Sequence, residues 1–393
     1  LRLLGKYIEN NNCSVLYDSH CLGDIHFRLR IHTIYIRNDF ICPIAVVQHK
    51  KIKSDMEPNK ADICKTDAEE VKVSVLMTVY NEENYLRQSI NSILSQSEQH
   101  IELVVVDDAS DDRSPEILKE YADKDSRVRV YRNPQNEGLV RSRISALKHA
   151  RGKFTLITDA DDFLSADAVS SALEALHRTG ADAAVLELMM YFSENDIRPY
   201  NDTPFAETID GKKAFDMCIH GKLHGLCVED KRLYDKIPFD DSCRLYSDDN
   251  TARLHYYIAN KVCFCKGRYY YRQHAASETH KVSINRFDYL RANLRKQMLE
   301  LHADRKSMES VETHRWKNIV AHYKLLMENR NVFTKKERAE AESIIAESIS
   351  TIDFSVIPRK LKIRPPYLPA HNMKTFVVLQ KFYRVLRKIA GKD

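Results

Sequence analysis

The stretch Val73-Ser74-Val75-Leu76-Met77-Thr78-Val79-Tyr80-Asn81 decides the fold. Residues 73–77 form a short apolar run with no polar face, the pattern of a strand covered on both sides. The same unit then recurs along the chain. Leu86, Ile90, Ile93 and Leu94 mark a helix, and a second apolar strand over 101–106 ends at Asp107-Asp108. Ser114-Pro115-Glu116 opens the next helix, with Ser as N-cap and Pro at its first position. Further strands are expected over 128–131, 154–158 and 183–188, with helices over 140–150 and 166–178 between them. Apolar strands alternating with amphipathic helices predict an α/β domain built on a parallel sheet.

In such sheets ligands bind beyond the carboxyl ends of the strands. Tyr80-Asn81, Asp107-Asp108 and Asp159-Ala160-Asp161-Asp162 all fall at those ends. In the last, the apolar run Leu156-Ile157-Thr158 leads into three carboxylates within four residues. Like charges this close call for a compensating cation, and oxygen ligands suit Mg²⁺ or Mn²⁺ shared with substrate phosphates. Taken alone, the cluster also reads as an acidic loop capping the next helix. Only ten glycines are present, and none form GxGxxG or GxxxxGK[ST]. That argues against a dinucleotide-binding domain and a P-loop ATPase. A nucleoside diphosphate would here be held through a metal.

The flanking regions differ in character. Residues 1–70 form an N-terminal extension in which Phe27, Leu29 and Ile31 alternate with Arg28, Arg30 and His32, a strand pattern. A polar, Lys/Asp-rich linker follows over 46–70. The chain opens on Leu1 rather than Met, which leaves its native start open. Nine scattered cysteines without a CxxC pair read as free thiols in a reducing cytosol rather than as structural zinc ligands. Composition is 43% apolar and 30% charged, and no apolar run approaches a membrane span. A cytoplasmic location is expected.

The α/β domain is expected over 71–285 and a helical C-terminal region over 286–393. In the latter, Leu290, Leu294, Met298 and Leu301 stand at helical spacing. From Asp353 onward ten Lys/Arg face two Asp, or +8 of the net +5, so everything before it carries about −3. The basic character belongs to a tail, and no nucleic-acid partner is expected. A last helix over 373–390 places Phe376, Leu379, Phe382, Leu386 and Ile389 on one face, with Lys381, Arg384, Arg387 and Lys388 elsewhere. This is the composition of a helix lying on an anionic membrane surface. A helix packed on the protein with a solvated basic side would read the same way.

Together, residues 73–82, 104–110, Asn136-Glu137-Gly138 and 152–162 resemble the family 2 glycosyltransferases of the GT-A fold, over residues 71 to about 277. The resemblance implies a mainly parallel nucleotide-binding sheet flanked by helices. It implies a metal-dependent, inverting transfer from a UDP-sugar to a glycan or lipid-linked acceptor. The setting it implies is bacterial surface polysaccharide or lipopolysaccharide synthesis, peripheral on the inner face of the cell membrane. Thr78 and Tyr80 fall where the family holds the nucleobase, although relatives often have Pro at the position of Thr78. Glu82 falls beside the ribose, and Asp108 where a carboxylate accepts the uracil imide hydrogen, with Asp107 sharing that role or orienting the loop. Arg143 offsets charge near the nucleotide. Asp159 and Asp161 match the DxD motif: Asp161 at Mn²⁺ or Mg²⁺, Asp159 at ribose or metal-bound water, and Asp162 orienting the loop.

Tyr246-Ser247-Asp248-Asp249-Asn250 resembles the family's Glu-Asp motif with Asp248 in place of Glu. Asp249 is favoured over Asp248 as general base, and Arg253 is a partner for the pair; an N-cap on the helix carrying Leu254 and Tyr257 suits either. Arg272, His274 and Ser277 resemble a segment that closes over the diphosphate. His220 and His224 either face the acceptor or are ordinary loop histidines. A non-catalytic nucleotide-binding scaffold is the alternative from another class. A sugar-nucleotide pyrophosphorylase would need a Gly-rich Arg-Leu segment where Val79-Tyr80-Asn81-Glu82 stands.

Overall fold

The run at 73 forms strand β3 (Val73–Val79), buried along its whole length. It lies parallel to β4 (Ile101–Asp107) on one side and β6 (Phe154–Asp159) on the other, and β5 (Val128–Arg132) extends the parallel order beyond β4. Helices α1 (Leu86–Leu94), α2 (Ser114–Lys124) and α3 (Leu139–Lys148) connect these strands. Val73, Val75, Met77 and Val79 face one core with Leu86, Ile90 and Ile93, whereas Leu76, Val104 and Val106 face Ala146 of α3. Successive side chains point to opposite faces and both faces are covered, which is why the sequence shows no alternation.

The computed structural model describes residues 70–201, 206–242, 248–274 and 281–391, together with the backbone of β1 (Arg30–Tyr35) and β2 (Ile41–Val46). The latter two form an antiparallel pair where the alternating pattern predicts a strand. Residues Leu1–Thr66 and Asp67–Asp393 make two compact units.

Past β6 the sheet departs from simple alternation. The elements that follow are β7 (Phe163–Leu164), α4 (Ala168–Thr179), β8 (Ala183–Ser193), β9 (Asp196–Pro199), β10 (Thr208–Asp210) and α5 (Gly211–Ile219). Then come β11 (Cys227–Asp230), α6 (Arg232–Lys236), α7 (Asp248–Ile258) and β12 (Lys261–Arg272). The strand order among the described residues is β10-β12-β8-β11-β6-β3-β4-β5. The four-residue β11 runs antiparallel between β6 and β8, and β12 lies parallel to β8. Two reversals restore the direction. Hence β3, β4, β5, β6, β8 and β12 all point one way, and their carboxyl ends line one edge.

One local expectation changes. Ser114 is the first helical residue rather than the cap, and its hydroxyl accepts the Glu82 amide at 3.0 Å. The Asp112 carboxylate takes the Ser114 amide instead, at 2.9 Å.

The C-terminal region is helical, as expected: a 3₁₀ segment (Ile284–Arg291), α8 (Leu294–Glu300), α9 (Arg305–Glu328), α10 (Lys335–Ser350), α11 (Arg359–Lys362) and α12 (Met373–Ile389). Leu294, Met298, Met308 and Val311 share a core with Phe215 of α5 and Tyr256 of α7. Trp316 packs edge-on against Phe354 and Phe376 in a second core. The apolar face expected on the last helix is therefore divided. Phe376 is buried and Leu379 packs against that core, whereas Phe382 (54% exposed) and Ile389 (79% exposed) lie open with Val378 and Val385.

Glu102 ties the parallel strands together. Fully buried, it accepts from Ser74 Oγ at 2.6 Å, Arg129 Nη1 at 2.9 Å, and the Arg151 amide and Nε at 2.6 and 2.8 Å. Burial pushes its carboxyl upward, but the hydrogen bonds from Ser74, Arg151 and Arg129 outweigh this and hold it below the usual range. Gly152 completes the arrangement by donating to Ser74 Oγ at 2.8 Å; a Cβ there would meet the Ser74 backbone nitrogen at 2.6 Å. Glu102→Ala strips two arginines and a buried hydroxyl of their shared partner. Urea denaturation should show a loss of about 3–5 kcal/mol; an unchanged midpoint would show that the network contributes nothing.

Candidate active site

The loops leaving β3 and β4 are braced against each other. Asn81 (φ 58) and Ala109 (φ 62) both adopt the left-handed conformation. The Asn81 amide donates to Ser110 Oγ at 3.0 Å, while its side chain and Asp111 exchange hydrogen bonds of 2.7 and 2.9 Å. The Glu83 amide donates to Asp112 at 3.0 Å. The bracing leaves Tyr80 half exposed on the edge and Thr78 Oγ1 buried with no hydrogen-bond partner among the described residues. Of the two, Tyr80 is open to a ligand.

Asp107 and Asp108 turn inward. Asp107 accepts the Ser110 amide at 3.0 Å and pairs with Arg132. Asp108 accepts from Asn133 Nδ2 at 2.7 Å and from the amides of Glu137 and Gly138, each at 2.8 Å. Gly138 presents its amide from φ 94 and ψ 162, a conformation open essentially to glycine alone. Three of roughly four acceptor positions on Asp108 thus order the loop before α3.

The acidic cluster sits where β6 ends and β12 arrives. Arg143, buried on α3, donates to Asp159 Oδ1 at 2.7 Å. His274 Nε2 lies 2.9 Å from Asp161 Oδ2. Asp162 is buried and accepts from Tyr269 Oη and the Arg272 amide, both at 2.8 Å. Burial, with the Asp161 and Asp159 charges beside it, pushes the Asp162 carboxyl well above its ordinary range. Arg272, expected at a phosphate, clamps the loop: Nε donates to the Asp161 carbonyl at 2.7 Å and Nη2 to Gln88 at 2.6 Å. Its guanidinium also lies 4.7 to 5.3 Å from the ring centres of Tyr85, Tyr191 and Phe163.

Glu82 reports the field of the cluster. Burial first, then the charges of Asp161, Asp159 and Asp112, raise its carboxyl to about 8, with Lys281 opposing. A divalent ion fits this donor set: Asp161, with Asp159 beside it, supplies oxygens and His274 an imidazole nitrogen. Among the described residues no three His, Cys, Asp or Glu side chains form a ready-made ion cage. An ion would complete its shell from substrate phosphate and water.

Asp249, at the start of α7, is more than half exposed, and its Oδ2 accepts from Arg253 Nη2 at 3.4 Å. Arg253 is itself buried and donates through Nη1 to Asn250 Oδ1 at 2.9 Å and to Tyr289 Oη at 3.0 Å. Tyr289 Oη lies 2.6 Å from His314 Nε2. Burial and the Arg253 charge depress His314 to about 3, so its ring is neutral and Nε2 accepts a hydrogen bond from the Tyr289 hydroxyl. The Asp249 charge also acts on the Tyr200 phenol, and the Tyr200 amide donates to Leu188 of β8 at 2.9 Å. Leu188 pairs with Tyr269, the residue that holds Asp162. A short path across the sheet thus links Asp249 to the acidic cluster.

The remaining expectations divide. His224 is partly buried, desolvation depresses it to about 4, and its ring meets Tyr200 edge-on, so it is a packed neutral histidine. His220 lies exposed at the end of α5. The Asp248 side chain and Ser277 lie outside the described residues. Sequence reasoning placed Asn81 at the site edge without a role of its own, gave no role to Tyr269, and missed Asn133, Tyr289 and His314. Only Asn81 carried a signal, as a residue tolerant of the left-handed conformation at a strand end.

Residues 74–241 match the family model described as glycosyl transferase family 2. The chain is similar to glycosyltransferase GlyA of Streptococcus pneumoniae, 30% identical over 51% of this chain and 30% of that protein. It is also similar to the minor teichoic acid biosynthesis protein GgaB of Bacillus subtilis, 27% identical over 75% of this chain and 34% of GgaB. The chain thus spans about a third of the length of either relative. Among solved structures, S. aureus TarS 1–349 in complex with UDP superposes with a TM-score of 0.60 at 21% identity, covering 80% of this chain and 91% of that one. TarS 1–349 in complex with UDP-GlcNAc gives 0.61 at 20% identity, covering 80% and 92%. These likenesses carry the fold.

The raised Glu82 carboxyl sets a pH dependence. Held near 8 when folded but near 4.5 when unfolded, it binds more protons in the folded chain over that interval. Its contribution to stability is full below the lower value and lost as pH rises through the upper one. In EDTA, Glu82→Gln should flatten the fall in unfolding free energy between about pH 5 and 8. Partial solvent exposure keeps the difference in slope below about 1.4 kcal/mol per pH unit. Parallel curves for parent and variant would exclude the assignment.

Proposed function

We propose that this chain, whose residues 74–241 match the model of glycosyl transferase family 2 and whose fold is GT-A, transfers a sugar from a UDP-sugar to a glycan or lipid-linked acceptor, with inversion. One observation carries this reading: Glu82, Asp159, Asp161 and His274 converge on the edge that exposes Tyr80, with Asp249 standing apart from them. Binding and proton transfer are thereby assigned to different carboxylates. The UDP and UDP-GlcNAc complexes of TarS support the donor class, and the name of GgaB supports a role in surface-glycan synthesis.

In this mechanism Tyr80 stacks on the nucleobase and the Thr78 hydroxyl gains a partner in it. Asp108 acts on the nucleotide through the loop it orders, with one acceptor position remaining for the uracil imide. Asp161 and His274 would hold Mn²⁺ or Mg²⁺, which when bound neutralises charge on the diphosphate. Arg143 orients Asp159 and offsets its charge. Asp249, exposed to solvent and held by Arg253, accepts the proton of the acceptor hydroxyl as its oxygen attacks the anomeric carbon. The new glycosidic bond forms on the face opposite the breaking bond to UDP, and the departing diphosphate keeps the electron pair.

Asp161→Ala should abolish divalent-dependent UDP binding in calorimetry. Asp249→Asn should bind UDP like the parent while turnover of UDP-sugar falls about 10²–10⁴-fold. Full turnover in Asp249→Asn would remove it as the base, and a parent chain with neither UDP binding nor turnover would favour the scaffold reading.

The open half of α12 supports attachment to an anionic membrane face, with Phe382, Val385 and Ile389 exposed among Lys381, Arg384 and Lys388. Among the described residues no helix is long and apolar enough to cross a membrane. Because Phe376 and Gln380 are buried, a truncation has to begin after Gln380 to leave the helical core whole. A chain ending at Gln380 should stay folded yet no longer sediment with phosphatidylglycerol vesicles. Sedimentation equal to the parent's would refute the attachment.

A further inference from the structure

Away from the nucleotide edge, the C-terminal helices enclose a second cavity, of about 330 Å³, against the end of α5. Its wall includes His220 after α5, Thr313 and Lys317 on α9, and Lys360 and Arg364 around α11. Lys317, Lys360 and Arg364 make no ion pair among the described residues. Glu309 is the only carboxylate in the lining, so the wall is cationic even with His220 neutral. Cations gathered around one hollow repel each other, and an anion inside would relieve that repulsion. Thr313 adds a second, independent observation: it is more than nine-tenths buried, and its hydroxyl has no hydrogen-bond partner.

The cavity lies on the side of the proposed base. His220 is two residues from Cys218, whose thiol burial pushes up to about 11 and on which the Arg253 and Asp249 charges also act. Thr313 directly precedes His314, the last member of the chain of hydrogen bonds that fixes Arg253. An arginine fork with two lysines and a hydroxyl is the donor set that suits a phosphate ester. The volume is enough for one or two phosphate groups and too small for a sugar chain.

We propose that this cavity is a phosphate subsite, taking the phosphate ester or diphosphate of a molecule bound on the acceptor side. Its role in transfer rests on the glycosyltransferase reading; its occupancy by phosphate does not. Two sources share this chemistry, a phosphorylated acceptor and an anionic lipid headgroup.

The test uses the full chain saturated with UDP and divalent ion, so that the donor site is filled. Thermal unfolding is followed with glycerol 3-phosphate against sodium chloride of equal ionic strength, in the parent and in Lys317→Ala/Arg364→Ala. The parent should show a saturable rise in Tm and the double variant none, with equal Tm values in chloride and equal UDP affinity. A second arm measures affinity for phosphatidylglycerol vesicles, which the open half of α12 sustains in either case. A weaker affinity in the double variant that glycerol 3-phosphate reproduces in the parent assigns the phosphate to a lipid headgroup, and an affinity unchanged by both assigns it to the acceptor. No rise in the parent, or the same rise in the double variant, overturns the subsite. A parent that responds to glycerol 3-phosphate but never turns over UDP-sugar would sink the transferase reading and leave the subsite standing.

Discussion

The edge of the sheet is governed by repulsion among carboxylates that cannot move apart. The charges of Asp159 and Asp161 raise the cost of ionising both Glu82 and Asp162. Asp162 is locked by Tyr269 and Arg272 of β12, and Asp159 by Arg143 of α3. Relief has to come from added positive charge or from retained protons. The protein supplies part of the charge through Arg143, which pairs with Asp159, while the His274 ring lies against Asp161. Asp162 is held by neutral donors and Glu82 keeps its proton to about 8. What remains is an edge at which burial and the fixed charges of Asp161 and Asp159 keep a proton on Glu82.

Much of this edge was legible because it follows from local chain chemistry. Strands 73–79 and 101–107 are buried on both faces, so their composition announces a covered sheet, and a strand that ends in carboxylates places them at its carboxyl end whatever its partners. What escaped reading is long-range. Asp162 meets Tyr269 and Asp161 meets His274 across more than a hundred residues, and nothing at either position signals the other. The inward turn of Asp108 was hidden for a related reason. A strand-end carboxylate is equally suited to a ligand or to three loop donors, and only the folded position of Asn133 and Gly138 decides between them.

The short β11 shows a different limit. Four residues are too few for periodicity to distinguish strand from loop. Yet they reverse direction twice across the sheet and so bring β8 and β12 into line with β6. Without that reversal Arg272 and His274 would leave the opposite edge, and the acidic loop would lose its clamp. The composition of the last helix was likewise read correctly, but whether its apolar face met protein or solvent depended on Trp316 and Phe354, which lie in other elements.

The helical C-terminal region is therefore part of the active unit. Arg253 carries a full charge in a buried position, a state that costs several kcal/mol unless every donor is directed. Its terminal nitrogens divide between Asp249 and Asn250 of its own helix and Tyr289 of the C-terminal region, while Nε has no partner among the described residues. Tyr289 is oriented in turn by a histidine that burial keeps neutral and therefore accepting. Each link is set by packing among α5, α7 and α9, whose apolar residues share one core. The carboxylate proposed to take the acceptor proton is thus positioned by residues outside the segment that matches the family model, and differences in that helical region are a route by which similar proteins can differ around Asp249 while keeping the carboxylate edge of the sheet unchanged.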